Sequence, residues 1–354
     1  GKIGHTWEGV MRNYLEPRLE IVDPGVHNLV RDARGDAGVL DGRIDGQLQA
    51  RTYQSQSTSF LPGSKTTVEI DTQTLRQRLA ADVTGDRLDD IVAFVDSAAG
   101  PRLRLWPANG IGYNRPRAWW TDTEGLTNAD TQVVTDDFDG DAKADIGLLL
   151  GPRKTGGNSR FMVLTSTGTS FNAPVNWWAG QLDLDTVVAM AGDADGDGRG
   201  DLILQRETST GGLEFLVAKS RLKGGALDAP VRWLALSDLT RATTRTLIAD
   251  VDRDGRDDIV AAYARESGMA LSALRSSGTG FARKLLWSSS ALALRTVKLG
   301  TGDYNIDGRG DVLLLVDRGA DGSRFKVFLP NDTTGTMSTW YDDVNLPWDT
   351  AQLY

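Results

Sequence analysis

The stretch Asp193-Ala-Asp-Gly-Asp197-Gly-Arg-Gly-Asp201-Leu-Ile-Leu204 decides how this chain is read. Aspartate stands at positions one, three, five and nine, and an apolar run follows at once. Four other segments repeat the pattern: Asp82-Val-Thr-Gly-Asp86-Arg-Leu-Asp-Asp90, Asp137-Phe-Asp-Gly-Asp141-Ala-Lys-Ala-Asp145, Asp250-Val-Asp-Arg-Asp254-Gly-Arg-Asp-Asp258 and Asp303-Tyr-Asn-Ile-Asp307-Gly-Arg-Gly-Asp311. Their first aspartates lie 55, 56, 57 and 53 residues apart. So even a period marks a stacked array of supersecondary units.

Other columns keep the same register. Tryptophan recurs at Trp119, Trp177, Trp233, Trp287 and Trp340, and Gly-x-aromatic turns (Gly112-Tyr113, Gly168 with Phe171, Gly280-Phe281) precede several of them. Between these landmarks each unit reads as four short strands split by Gly, Ser and Asp turns; in one unit they are 246–251, 258–264, 269–275 and 283–288. The second strand is almost wholly apolar, as a strand covered on both faces should be. Four antiparallel strands per unit, repeated radially, predict an all-β propeller. A degenerate unit precedes the five, with Asp32 taken as position one, Arg34 as position three, Asp36 as position five and Leu40 as position nine. The blades then fall at about 27–72, 73–127, 128–184, 185–241, 242–292 and 293–343, in a single domain spanning 1–354. Segments 1–26 and 344–354 also read as strand material, so seven blades are expected, the last closed by both termini. Six blades with an outer helix over 7–21 is the alternative.

Aspartates at positions one, three, five and nine of a tight loop set several hard oxygen ligands around one point, which suits Ca²⁺ and not zinc or copper. The backbone carbonyls of Leu88, Lys143, Arg199, Arg256 and Arg309 at position seven would add a ligand each. An EF-hand is rejected, because its position-twelve glutamate would fall in an apolar strand. The loop, its strand and the period resemble the FG-GAP/VCBS repeats of the integrin-α-type β-propeller, over about 27–343. The resemblance implies about five Ca²⁺ sites, held by Asp82, Thr84, Asp86 and Asp90; Asp137, Asp139, Asp141 and Asp145; Asp193, Asp195, Asp197 and Asp201; Asp250, Asp252, Asp254 and Asp258; and Asp303, Asn305, Asp307 and Asp311. Thr84 and Asn305 at position three, with Arg87 and Ala142 where position six favours glycine, are expected to weaken the first and last sites. Arg34, standing in for the metal, leaves the degenerate loop without an ion. Five divalent ions would carry the formal charge from −9 to +1.

The net negative charge argues against a nucleic-acid partner. Absence of cysteine removes disulfides and thiolate chemistry. No apolar run is long enough for a membrane helix. The start lacks the layout of a signal peptide, so either a signal has been removed or the chain is a segment of a larger protein. Three Arg-Gly-Asp triplets occur, at 34–36, 199–201 and 309–311; in the last two the aspartate is the position-nine ligand, so structural use is expected rather than cell adhesion. The tryptophan column is read as an inter-blade wedge, while Trp106, Trp120 and Trp178 are candidate sugar-stacking faces. The expectation is a secreted, Ca²⁺-stabilised binding or adhesion module with a glycan or extracellular protein ligand. The alternatives are a polysaccharide lyase or glycosidase, for which His5, His27, Tyr14 and Tyr53 are the available side chains, and a scaffold domain of a larger toxin or hydrolase.

Overall fold

The computed structural model describes residues 34–42, 48–68, 74–98, 100–122, 131–151, 157–221 and 225–353. Apolar alternation and turn residues divide these into 24 strands and six four-stranded antiparallel sheets. Five sheets use consecutive strands: β4 (Leu75–Ala81) to β7 (Arg117–Thr121), β8 (Thr131–Asp136) to β11 (Val175–Gln181), β12 (Val187–Gly192) to β15 (Val231–Leu236), β16 (Thr244–Ala249) to β19 (Phe281–Ser289), and β20 (Val297–Gly302) to β23 (Gly335–Asp343). These are blades two to six. Blade one is composite: β24 (Ala351–Leu353) pairs with β1 (Ala37–Gly42), which continues into β2 (Leu48–Ser55) and β3 (Phe60–Val68). The chain is therefore a six-bladed β-propeller, and the expectation of seven is corrected. The C-terminal strand does close the ring, but it completes the first blade instead of founding another. Segment 1–26 lies outside the described residues.

The first strand of each blade faces the axis with an open edge, and unpaired edge groups need partners. One register supplies them. The Gln77 side-chain carbonyl accepts the Val133 N–H at 2.7 Å, and that of Gln132 accepts the Ala189 N–H at 2.8 Å. Arg245 donates to the Val297 carbonyl at 2.6 Å, Lys298 donates to that of Trp348 at 2.6 Å, and Gln352 accepts from Arg78. Each of these side chains bridges to a neighbouring blade. Val188 holds the place in blade four, where Thr246 instead donates to Gln205 at 2.7 Å.

The six seams are filled by separate apolar clusters, each drawing on two adjacent blades. In every sheet the pairing of the third and fourth strands slips, and in blades two to six it slips at the same level. A bulge re-aims the extra residue. In blades two to six that residue is Trp119, Trp177, Trp233, Leu286 and Trp340. Trp119 meets Phe171 of the next blade at 5.3 Å, Trp233 meets Phe281 at 5.0 Å, and Trp340 meets Phe60 at 5.1 Å. The wedge role thus belongs to the bulge, and in blade five Leu286 takes it while Trp287 sits one residue outside.

Candidate metal centres

Each aspartate loop joins the first strand of a blade to its second, and its carboxylates organise its own backbone. Position one is the hub of the turn. Asp137 accepts the N–H groups of Gly140, Asp141 and Ala142 at 2.7, 3.0 and 2.7 Å, and Asp193 accepts those of Gly196, Asp197 and Gly198 at 2.8, 3.0 and 2.8 Å. Asp82 does the same with Gly85, Asp86 and Arg87. Asp250 and Asp303 hold Gly255 and Gly308 at 2.8 and 2.9 Å. Position five holds the amide of position seven at 2.9–3.1 Å, on Leu88, Lys143, Arg199, Arg256 and Arg309. The turn requires positive φ at positions four and six. Loop 193–201 meets both with glycine, whereas Arg87, Ala142, Arg253 and Ile306 are non-glycine residues held at φ 60–68° in the other four.

Position nine is fully buried in all six blades. One oxygen of Asp90, Asp145, Asp201 and Asp258 accepts the N–H of Ala108, Ser166, Ser220 and Ser276 at the end of the third strand, at 2.7–2.8 Å. Burial, opposed by these hydrogen bonds and reinforced by the neighbouring aspartates, pushes the four carboxyls up to about 8. Asp311 is pushed further, to about 9. The strand pairing puts Pro330 where Ser276 stands in blade five. Proline has no N–H to give, and Asp311 Oδ1 is left buried without a hydrogen-bond partner. Asp201 Oδ2, Asp195 Oδ1 and Asp252 Oδ1 are likewise buried and unpartnered.

Buried carboxylate oxygens without donors are costly unless a cation meets them. Carboxylate oxygens of Asp137, Asp139 and Asp145 lie within 4.8 Å of one another, as do those of Asp193, Asp195 and Asp197, and those of Asp250, Asp252 and Asp254. This donor set fits a hard divalent ion. Protein cations also lie close: Lys143, Arg199 and Arg256 pair with Asp141, Asp197 and Asp254 at position five. Lys219 lies 3.1 Å from Asp195, and Arg275 3.3 Å from Asp252.

The loops are also stapled to one another. The position-eight N–H donates to the position-one carbonyl of the preceding blade: Ala144 to Asp82, Gly200 to Asp137, Asp257 to Asp193, Gly310 to Asp250 and Gly35 to Asp303, at 2.7–2.9 Å. The fifth bond and the Ser55 N–H on Asp36 at 3.0 Å fix the register of the degenerate loop. Asp36 is its position nine, not its position five, and Arg34 is position seven. All three Arg-Gly-Asp triplets therefore occupy positions seven to nine, with the aspartate fully buried.

Position two, which the aspartate pattern leaves unspecified, is a core plug: Val83, Phe138, Ala194, Val251 and Tyr304 are all buried to within 1%. The sequence carries the signal, because each of these residues is apolar or aromatic between two polar loop positions. Among the aromatic candidates, Trp106 is 1% exposed within the seam of blades one and two and offers no face to a solvent-borne sugar. Trp120 and Trp178 are half-buried on the outer strands of blades two and three, with Trp178 folded over Gly180. Tyr53, a candidate for the lyase or glycosidase alternative, lies in β2, buried and donating to Asp343 at 2.7 Å. His5, Tyr14 and His27 lie outside the described residues.

No protein-family model and no curated protein matches the sequence. Solved structures match in fold. A component of the Photorhabdus luminescens Tc holotoxin pore is similar over 91% of this chain at 16% identity, with a TM-score of 0.56, and the match covers 14% of that toxin chain. AofleA from Arthrobotrys oligospora is similar over 91% of this chain and 89% of its own, at 11% identity and a TM-score of 0.51. A mutant of AofleA gives 11% and 0.50.

Proposed function

We propose that this propeller is a Ca²⁺-stabilised extracellular binding module whose ligand is a glycan. The buried, donor-less oxygens of Asp201 and Asp311, the first in a loop whose other carboxylates converge, carry the calcium part of this reading. Asp137–Asp145, Asp193–Asp201 and Asp250–Asp258 would hold an ion through aspartates at positions one, three, five and nine. The loops at Asp82 and Asp303 would do so with Thr84 and Asn305 at position three. The ion would neutralise the loop and lock its turn. Sites of this kind fill at the millimolar calcium found outside cells, which is the reason for an extracellular placement.

Support for a glycan comes from the partly open rings of Trp120 and Trp178 on adjacent blades, flat apolar faces of the kind that stack on sugar rings. A glycan array probed with calcium-loaded protein tests this reading. Binding lost in Trp120→Ala and Trp178→Ala is the expected result; release of unsaturated uronic products without stable binding would replace it with a lyase. The scaffold reading also has an observation in its favour, since a matching propeller forms a minor part of the Tc holotoxin chain.

A further inference from the structure

Three loops look equivalent by aspartate count, and the glycines at positions four and six make 193–201 the best of them on backbone grounds. The ends of the third strands separate the three. Thr165, Lys219 and Arg275 each precede the serine whose N–H binds the position-nine aspartate, so they share one register. We propose that Lys219 and Arg275 are built-in competitors for the loop cation, and that 137–145, which faces Thr165 instead, is the tightest site of the ring. The proposal rests on the calcium reading above.

Lys219 is docked, not drifting: its ammonium lies 3.1 Å from Asp195, donates to the Gly278 carbonyl at 2.9 Å and sits 5.6 Å from the centre of the Trp233 ring. Arg275 approaches Asp252 in the same way. In both loops the charge is set against the position-three carboxylate, while its second oxygen stays buried without a donor. Thr165 is neutral and engaged elsewhere, its hydroxyl accepting from Asn172 at 2.8 Å. The position-five pairs with Lys143, Arg199 and Arg256 occur in all three loops and do not discriminate. The converging carboxylates divide in the same way: positions one, three and nine meet at Asp137, Asp139 and Asp145, whereas in the other two loops positions one, three and five meet and the buried position nine stays apart. A fixed positive charge a few ångströms from a ligand opposes a divalent ion, and with solvent screening the loss is about tenfold in affinity.

Calorimetric titration with CaCl2 of the wild type, Lys219→Thr, Arg275→Thr and Thr165→Lys tests the proposal. Each threonine variant should tighten one ion about tenfold without changing the number bound, and Thr165→Lys should loosen the tightest one. Calcium bound with affinities unmoved in all three variants would overturn the inference alone. Calcium bound by none of the four proteins would overturn the calcium reading with it.

Discussion

Blade one and blades two to six solve the same packing problem with different means. Blades two to six are built from consecutive strands, and in each an aspartate loop joins the first strand to the second. Blade one is assembled from both ends of the ring, and only three residue pairs join β24 to β1. Where blade six meets it, the seam relies on ring packing and buried charge. Tyr53, Phe60, Tyr304, Phe325, Trp340 and Tyr341 pack at 4.4–6.3 Å, and Arg51 is buried between Asp41 and Asp343. Thr350 then donates to Asp41 at 2.6 Å, tying the closing strand's approach to that network. Aspartate loops are repeated where the sequence repeats; the closure is made once, from bulk and buried polar pairing.

The largest effect should come from the repeated part. Calcium at a hundredfold over its dissociation constant contributes about 2.7 kcal/mol per site, so five sites amount to on the order of 10 kcal/mol. A chelator should lower the melting temperature by well over ten degrees and calcium should restore it; a melting curve indifferent to both would leave the loops as solvated acidic turns. Removing Trp348–Tyr354 attacks the other part. It deletes β24, exposes the fully buried Ala351 site and takes away the carbonyl acceptors of Lys298. The expected loss is about 3–5 kcal/mol, and a melting temperature within two degrees of the full chain would show that the strand does not close the ring.

A matched pair of substitutions sharpens the comparison. Asp258→Ala and Asp36→Ala both orphan a buried serine N–H, at a cost of about 1–3 kcal/mol. Only Asp258→Ala should also lower the calcium count, so equal counts in the two variants would erase the distinction between the blades. The smallest effect is in pH. In metal-free protein, position-nine carboxyls raised from 3.8 to about 8 make the native state bind protons more tightly than the unfolded chain. The stability this contributes is complete below about pH 4 and lost as pH rises to about 8. Melting in chelator should therefore fall across that window, and calcium, which replaces the proton, should flatten the fall.

The loops and their period made the propeller legible, and strand limits such as Asp258–Ala264 follow directly from the apolar run after position nine. The blade count was not legible for a specific reason. Asp32 and Asp36 fit positions one and five as well as five and nine, and only the Gly35 and Ser55 hydrogen bonds separate the two registers. Once Asp36 is position nine, β1 is the second strand of its blade, and Ala351–Leu353 takes the axial place. The side-chain clamps from Gln77 to Gln352 are not legible in the sequence, because Gln, Arg and Lys perform one task with different chemistry and leave no common letter. Lys219 and Arg275 are illegible for another reason, since their meaning depends on a loop some twenty residues away.

The pairing of β24 with β1 has a mechanical consequence. The strands are antiparallel, with Leu353 opposite Val39 and Ala351 opposite Asp41. The chain preceding β1 and the chain following β24 therefore leave the pair at the same end. A tensile load applied across those two segments would peel the pair apart one rung at a time, from Val39 inward, instead of shearing all its bonds together. The propeller would then behave as a ring that withstands heat and parts at low force, opening at one defined latch while blades two to six keep their shape.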